Sequence, residues 1–96
     1  MMSKTIVVAV GGEFSERLTS TPSTGYLWVV HELPKSIQLL GSTYENPASG
    51  IRPGDPGTQV FRFRVLKAGE HIITFALKRQ WERDAVESHT LTVKAN

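Results

Sequence analysis

The 96 residues contain three histidines, His31, His71 and His89, two aspartates, Asp55 and Asp84, and no cysteine. That inventory supplies little for catalysis. The histidines are far apart, with no pair at the spacing of metal ligands, and the two aspartates complete no Ser-His-Asp arrangement. Without a thiol there is no cysteine nucleophile, no thiolate metal site and no disulfide. The glutamates, Glu13, Glu16, Glu32, Glu45, Glu70, Glu82 and Glu87, are scattered over the chain as expected of a solvated surface. Neither an enzyme nor a cofactor or metal protein is expected. The side chains that stand out suit recognition instead. Arg79-Gln80-Trp81 places an arginine beside a tryptophan, the two residue types that dominate interface hot spots. Arg79 could also be a solvated strand end with a modest salt bridge, and Trp81 a core residue.

Two further segments have the composition of shaped loops. In Thr21-Pro22-Ser23-Thr24-Gly25-Tyr26, Pro22 fixes one backbone dihedral and Gly25 reaches conformations closed to other residues. The Ser23-Thr24 tip can therefore be held in shape before binding and lose little entropy on docking. A plain turn is the simpler alternative. Asn46 to Thr58 holds Pro47, Gly50, Pro53, Gly54, Pro56 and Gly57, and such glycines let a backbone approach a partner closely. Asp55 adds a charge there, and Pro56 removes one backbone donor.

Positioning these segments requires a scaffold, and the pattern around them is all-β. Strands are expected near Lys4 to Val10, Glu13 to Leu18, Tyr26 to His31, Ser36 to Tyr44, Gln59 to Leu66, Glu70 to Lys78 and Ser88 to Ala95. Alternation is clearest in Phe61-Arg62-Phe63-Arg64-Val65, which has an apolar face and a charged one. Ile73, Phe75 and Leu77 repeat it, as do Leu91 and Val93, and two stacked sheets bury such faces best. An immunoglobulin-like antiparallel β-sandwich of seven to eight strands follows, with Trp28 as a core anchor. Gly11-Gly12 and Lys67-Ala68-Gly69 read as tight hairpin turns, and Glu32 to Lys35 as another short reversal. If every strand spans the sandwich, successive connections alternate between its ends. The three longer connections, Thr19 to Gly25, Asn46 to Thr58 and Arg79 to Glu87, then share one end and form a surface.

At these loops the chain resembles the chagasin-type inhibitors of papain-family cysteine peptidases. Their signature is an Asn-Pro-Thr-Thr-Gly-aromatic loop leading into a strand with tryptophan two residues on. Here Thr21 replaces the asparagine and Ser23 one threonine, before Gly25, Tyr26 and Trp28. The family's Gly-x-Gly-Gly motif is similar to Gly54-Asp55-Pro56-Gly57, followed by Phe61 and Phe63, and its Arg-Pro-Trp to Arg79-Gln80-Trp81. The resemblance covers nearly the whole chain. It implies a reversible inhibitor whose Thr24 enters the cleft over the catalytic cysteine of a papain-like, cathepsin-L-like peptidase. It further implies that Pro22, Ser23, Gly25 and Tyr26 form the first contact loop, Gly54, Asp55, Pro56 and Gly57 the second, and Arg79, Gln80 and Trp81 the third. Pro56 and Gln80 depart from the family pattern, the first by losing a donor and the second by losing rigidity.

Other classes are constrained by composition. Ninety-six residues fit one domain, 1–96, and a net charge of +2 falls short of the clustered basic face of a nucleic-acid binder. No run approaches the ~18 apolar residues of a membrane span. A monomer without nucleic-acid or membrane partners is expected, either cytoplasmic or, with a leader removed, periplasmic or secreted. The rival from a different class is an adhesion or carbohydrate-binding module stacking sugars on Trp81 and Tyr44. A third reading, nucleic-acid binding through Arg62 and Arg64, needs a continuous basic face that the sequence does not show.

Overall fold

The structure is a computed structural model that describes residues 2–20, 24–45 and 57–96. Thr21, Pro22 and Ser23, and the segment 46–56 with Gly54, Asp55 and Pro56, lie outside the described residues. The strands are β1 (Met2–Val8), β2 (Glu13–Ser20), β3 (Tyr26–Glu32), β4 (Ile37–Glu45), β5 (Gly57–Val65), β6 (Gly69–Arg79) and β7 (Glu87–Ala95). They form a four-stranded sheet, β1-β7-β6-β3, packed on a three-stranded sheet, β2-β5-β4. Each matches an expected strand, with its ends displaced by a few residues at most.

Alternation decides which side chains meet between the sheets. Phe61, Phe63 and Val65 on β5 point inward together with Ile73 and Phe75 on β6 and Leu91 and Val93 on β7, and all are buried. Arg62 and Arg64 take the opposite face, where both pair with Glu13 of β2. Phe63 stacks on Phe14 with centroids 5.2 Å apart and meets Phe75 edge-on at 6.0 Å. Removing a phenylalanine of this size from water contributes roughly 1.5–3 kcal/mol. Trp28 is buried as anticipated, and its indole N–H donates to the Thr19 carbonyl at 3.0 Å, tying β3 to β2 across the layers.

Two expectations about connectivity are corrected. The short turns at Gly11-Gly12 and Lys67-Ala68-Gly69 are not hairpins, and like the short reversal at Glu32 to Lys35 they cross between the layers, because β1, β3 and β5 each lie in the opposite sheet from the strand that follows. Composition does not separate the two cases: both bends use Gly or Pro, and they differ only in the layer that receives the next apolar face. The turns are instead stitched to neighbouring strands, Gly11 N–H donating to the Val65 carbonyl at 2.8 Å and Leu66 N–H to that of Ser36 at 2.8 Å. The sandwich is also not wholly antiparallel. β1 runs parallel to β7, as it must when six reversals separate two strands that end up side by side.

A third correction concerns Glu16, which lies inside the sandwich and not on its surface. It shares the inward face of β2 with Leu18, so the strand's own phase carries it there. Its carboxylate accepts from His89 Nε2 at 2.6 Å and from Lys4 Nζ at 3.0 Å, and the His89 ring stacks on Phe75 at 5.7 Å. β2 is thereby joined to β1 and β7 through one buried side chain.

A buried polar group that loses its hydrogen-bond partner costs more than an exposed one. Glu16→Ala, which strips buried His89 Nε2 of its acceptor, should therefore lower unfolding stability by about 2 kcal/mol in urea denaturation. Arg17→Ala, which breaks only the exposed pair with Glu45, should cost under about 1 kcal/mol. Equal losses would contradict this assignment. On the outer face, the Arg64 guanidinium and then that of Arg62 hold the Glu13 carboxyl below its ordinary 4.5. A depressed carboxyl stabilises the fold above its unfolded pKa and stops doing so as acid protonates it in the native state. The deficit of Glu13→Gln against the parent should thus be present above pH 4.5 and close as pH falls below it, in denaturation series across that range.

Candidate functional site

Every strand pairing agrees with strict alternation of direction, so β2–β3, β4–β5 and β6–β7 all connect at one pole. The registers confirm the meeting. Ser20 lies opposite Gly57, Glu45 opposite Thr58, Tyr26 opposite Arg79 and Leu77 opposite Glu87. Of these connections the first and third meet in described side chains, and Arg79 is their centre. It closes β6 opposite Tyr26, and its guanidinium carbon lies 4.3 Å from the centroid of the Tyr26 ring. Its Nε donates to the Thr24 carbonyl at 3.3 Å, and Nη1 donates to Glu82 Oε1 at 3.4 Å. The Trp81 ring lies 5.9 Å from the same guanidinium carbon. A planar cation suits this position, since it can stack on rings while donating in its own plane.

Trp81 is 74% exposed, the most exposed of the large apolar side chains described. A core role is thereby excluded. It is nonetheless held in place, because its ring edge lies against Gly25, where an added Cβ would meet a ring carbon at 3.3 Å. Gly25 has φ of +83°, so a side chain would be strained there as well as crowded. Thr24 is exposed, and its Oγ1 accepts from the Tyr26 N–H at 3.3 Å, which closes a local turn. The turn of the third loop is braced by Glu82 N–H on the Arg79 carbonyl at 3.1 Å and Val86 N–H on the Leu77 carbonyl at 2.8 Å.

The structure thus brings together Thr24, Gly25, Tyr26, Arg79 and Trp81, with Gln80 exposed beside them. Arg79, expected from the resemblance as a contact residue of the third loop, is engaged within the chain by Tyr26, Thr24 and Glu82. Gly57 is buried: a Cβ on it would collide with the Tyr44 hydroxyl and lie 2.8 Å from the Glu45 carbonyl oxygen. Its glycine identity is explained by the tyrosine packed over it. Tyr44 is packed over Gly57 at the base of β4–β5, while Trp81 stands with Arg79 and Gly25. Arg62 and Arg64, both paired with Glu13, offer no unbroken basic face. Glu82 joins the site without having been singled out in the sequence, and its spacing of three residues from Arg79 is the signal that could have found it. Among the described residues no group of three His, Cys, Asp or Glu could hold a metal ion, and no helix is long and apolar enough to cross a membrane.

Residues 7–95 match the family described as Chagasin family peptidase inhibitor I42. The chain belongs to this family. It is 33% identical over 99 residues to chagasin of Trypanosoma cruzi, spanning 96% of this chain and 89% of that protein. Its fold is similar to that of the cysteine protease inhibitor EhICP2 of Entamoeba histolytica, with a TM-score of 0.81, 24% identity and coverage of 99% and 87% of the two chains. Amebosin gives a TM-score of 0.76 at 28% identity, covering 99% of this chain and 97% of its own. PbICP-C, solved in complex with falcipain-2, gives 0.71 at 17% identity, covering 99% and 88%. Gln80 opens the third loop directly after β6, and the first turn of that loop is braced by Arg79 and Glu82.

The packing at Gly25 makes a direct test. Gly25→Ala should destabilise the protein by about 1–2 kcal/mol, from the positive φ and the contact with Trp81 together. Gly41→Ala, where a Cβ meets nothing within 4 Å, should stay within about 1 kcal/mol of the parent. Thermal unfolding of the two variants checks both expectations, and Trp81 fluorescence should shift in the first alone.

Proposed function

We propose that this chagasin-family inhibitor acts reversibly on papain-like, cathepsin-L-like cysteine peptidases, as one domain of residues 1–96, by seating its loop pole in the active-site cleft. One observation carries the reading. A tryptophan 74% exposed lies against Gly25 and beside Arg79, so an apolar anchor and the exposed Thr24 stand side by side. Such an anchor loses little freedom on binding, because its neighbours already restrict it. Large aromatic side chains of this kind supply most of the energy of an interface.

Inhibition without cleavage follows from how a cysteine peptidase attacks. Its thiolate needs a peptide carbonyl aligned with the oxyanion donors. The Thr24 carbonyl is instead engaged by Arg79 within the inhibitor. As a wedge, the loop pole can occupy the space above the thiolate while the Thr24 carbonyl keeps an intramolecular partner. Support for the partner class comes from family membership and from PbICP-C, a protein of the same fold whose complex is with falcipain-2. Tyr26 works from beneath, as the ring on which the Arg79 guanidinium rests. The interface should be of ordinary size, about 800 Å² per partner.

Titration of papain with this protein, followed by cleavage of a fluorogenic peptide, tests the proposal. The parent should give a stoichiometric endpoint. Thr24→Arg should abolish inhibition by clash, and Trp81→Ala should weaken it by about 2 kcal/mol, roughly thirtyfold in the inhibition constant. Circular dichroism must show both variants folded. Undiminished inhibition by Trp81→Ala would remove the anchor from the mechanism.

A further inference from the structure

β3 is an edge strand of the larger sheet, paired with β6 on one side alone. An edge of this kind presents backbone N–H and C=O groups on which another chain can add a strand. At Trp28 both groups are already taken, and by one side chain of the other sheet. The Trp28 N–H donates to Gln59 Oε1 at 2.8 Å, and Gln59 Nε2 donates to the Trp28 carbonyl at 3.0 Å. A primary amide carries one acceptor and a donor side by side in a plane, so it can mimic the backbone of a neighbouring strand; a carboxylate or an ammonium cannot.

The location gives this contact its meaning. Gln59 lies on β5 two residues beyond Gly57, where the chain leaves the second loop, and stands between Leu18 and Tyr44 in register. Trp28 lies on β3 two residues beyond Tyr26, where the chain leaves the first loop. The same tryptophan gives its indole N–H to Thr19 on β2, just before the first loop begins. Trp28 is therefore fixed at backbone and side chain to two strands of the smaller sheet, β5 and β2. The strand it anchors begins at Tyr26, directly after Thr24 and Gly25.

We infer that Gln59 is a positioning residue for inhibition: its amide locks the exit of the first loop to the exit of the second, sets their offset in the wedge, and closes the β3 edge to pairing with another chain. The inhibitory role of Gln59 rests on the reading of that pole as the peptidase-binding surface. The amide lock itself does not.

Gln59→Glu separates this role from mere filling of space. As a carboxylate the new side chain still accepts from the Trp28 N–H but cannot donate to the Trp28 carbonyl; as a neutral acid it regains a donor and reproduces the amide. Inhibition constants for papain, each divided by that of the parent at the same pH, should rise about tenfold or more at about pH 7.5 and fall to within about threefold at about pH 4.5. Gln59→Met, with a side chain of similar length and no hydrogen-bonding amide, should be weakened alike at both. In the free protein, amide exchange at Trp28 should be faster in Gln59→Met, and in Gln59→Glu near neutral pH only. Ratios near one at both pH values, with Trp28 protection unchanged, would overturn the inference. A parent that fails to inhibit papain would sink the peptidase reading and the inhibitory role of Gln59 with it. The exchange measurement would then still decide the lock, which unchanged protection refutes and lost protection supports.

Discussion

A strand that crosses a sandwich from pole to pole returns the chain at the opposite end from where it entered, and everything functional in this molecule depends on that constraint. Six such returns between seven strands leave three connections at each pole. Those of one pole are short and stitched to neighbouring backbone, as Gly11 is to Val65 and Leu66 to Ser36. The other three collect residues separated in the chain by dozens of positions. Strand count alone puts Thr24 and Trp81 at one pole, and the pairing of β3 with β6 makes them neighbours there.

What ties the first and third loops into a shaped surface is a single cation. Arg79 rests on Tyr26, reaches the Thr24 carbonyl and pairs with Glu82 on its own turn. Each contact alone is modest, because the site is open to water and exposed ion pairs are weak. Their value is geometric. One planar group satisfies partners on both loops, so the conformation of either loop depends on the other. Gly25 completes the arrangement by leaving the space that the Trp81 ring edge fills.

Much of this was legible because period-two patterns are hard to mistake. Phe61-Arg62-Phe63-Arg64-Val65 states its own faces, and Trp28, flanked by apolar neighbours on a short strand, proved to be a core residue. That Thr24, Arg79 and Trp81 share a pole followed from counting strands, whereas their contact rests on the pairing of β3 with β6. Less legible were contacts whose partners lie in different layers. Glu16 reads as surface by residue type, yet the phase of β2, which buries Leu18, carries it inward to His89 and Lys4. Gly57 reads as freedom for a loop, whereas its neighbour Tyr44 is what demands the missing side chain. The short turns gave no sign of which layer would receive the next strand. Such facts belong to the facing of surfaces, and a linear pattern records only the phase of each strand.

The parallel seam between β1 and β7 has a practical corollary. Because Met2 is registered with His89, near the start of β7, the first strand begins at the same pole as the wedge, while Asn96 is hydrogen-bonded to Val10 at the other. Polypeptide joined ahead of β1 emerges beside the loops and competes for their approach to an enzyme. An affinity tag, fluorophore or surface tether attached after Asn96 leaves from the far side and keeps that approach clear.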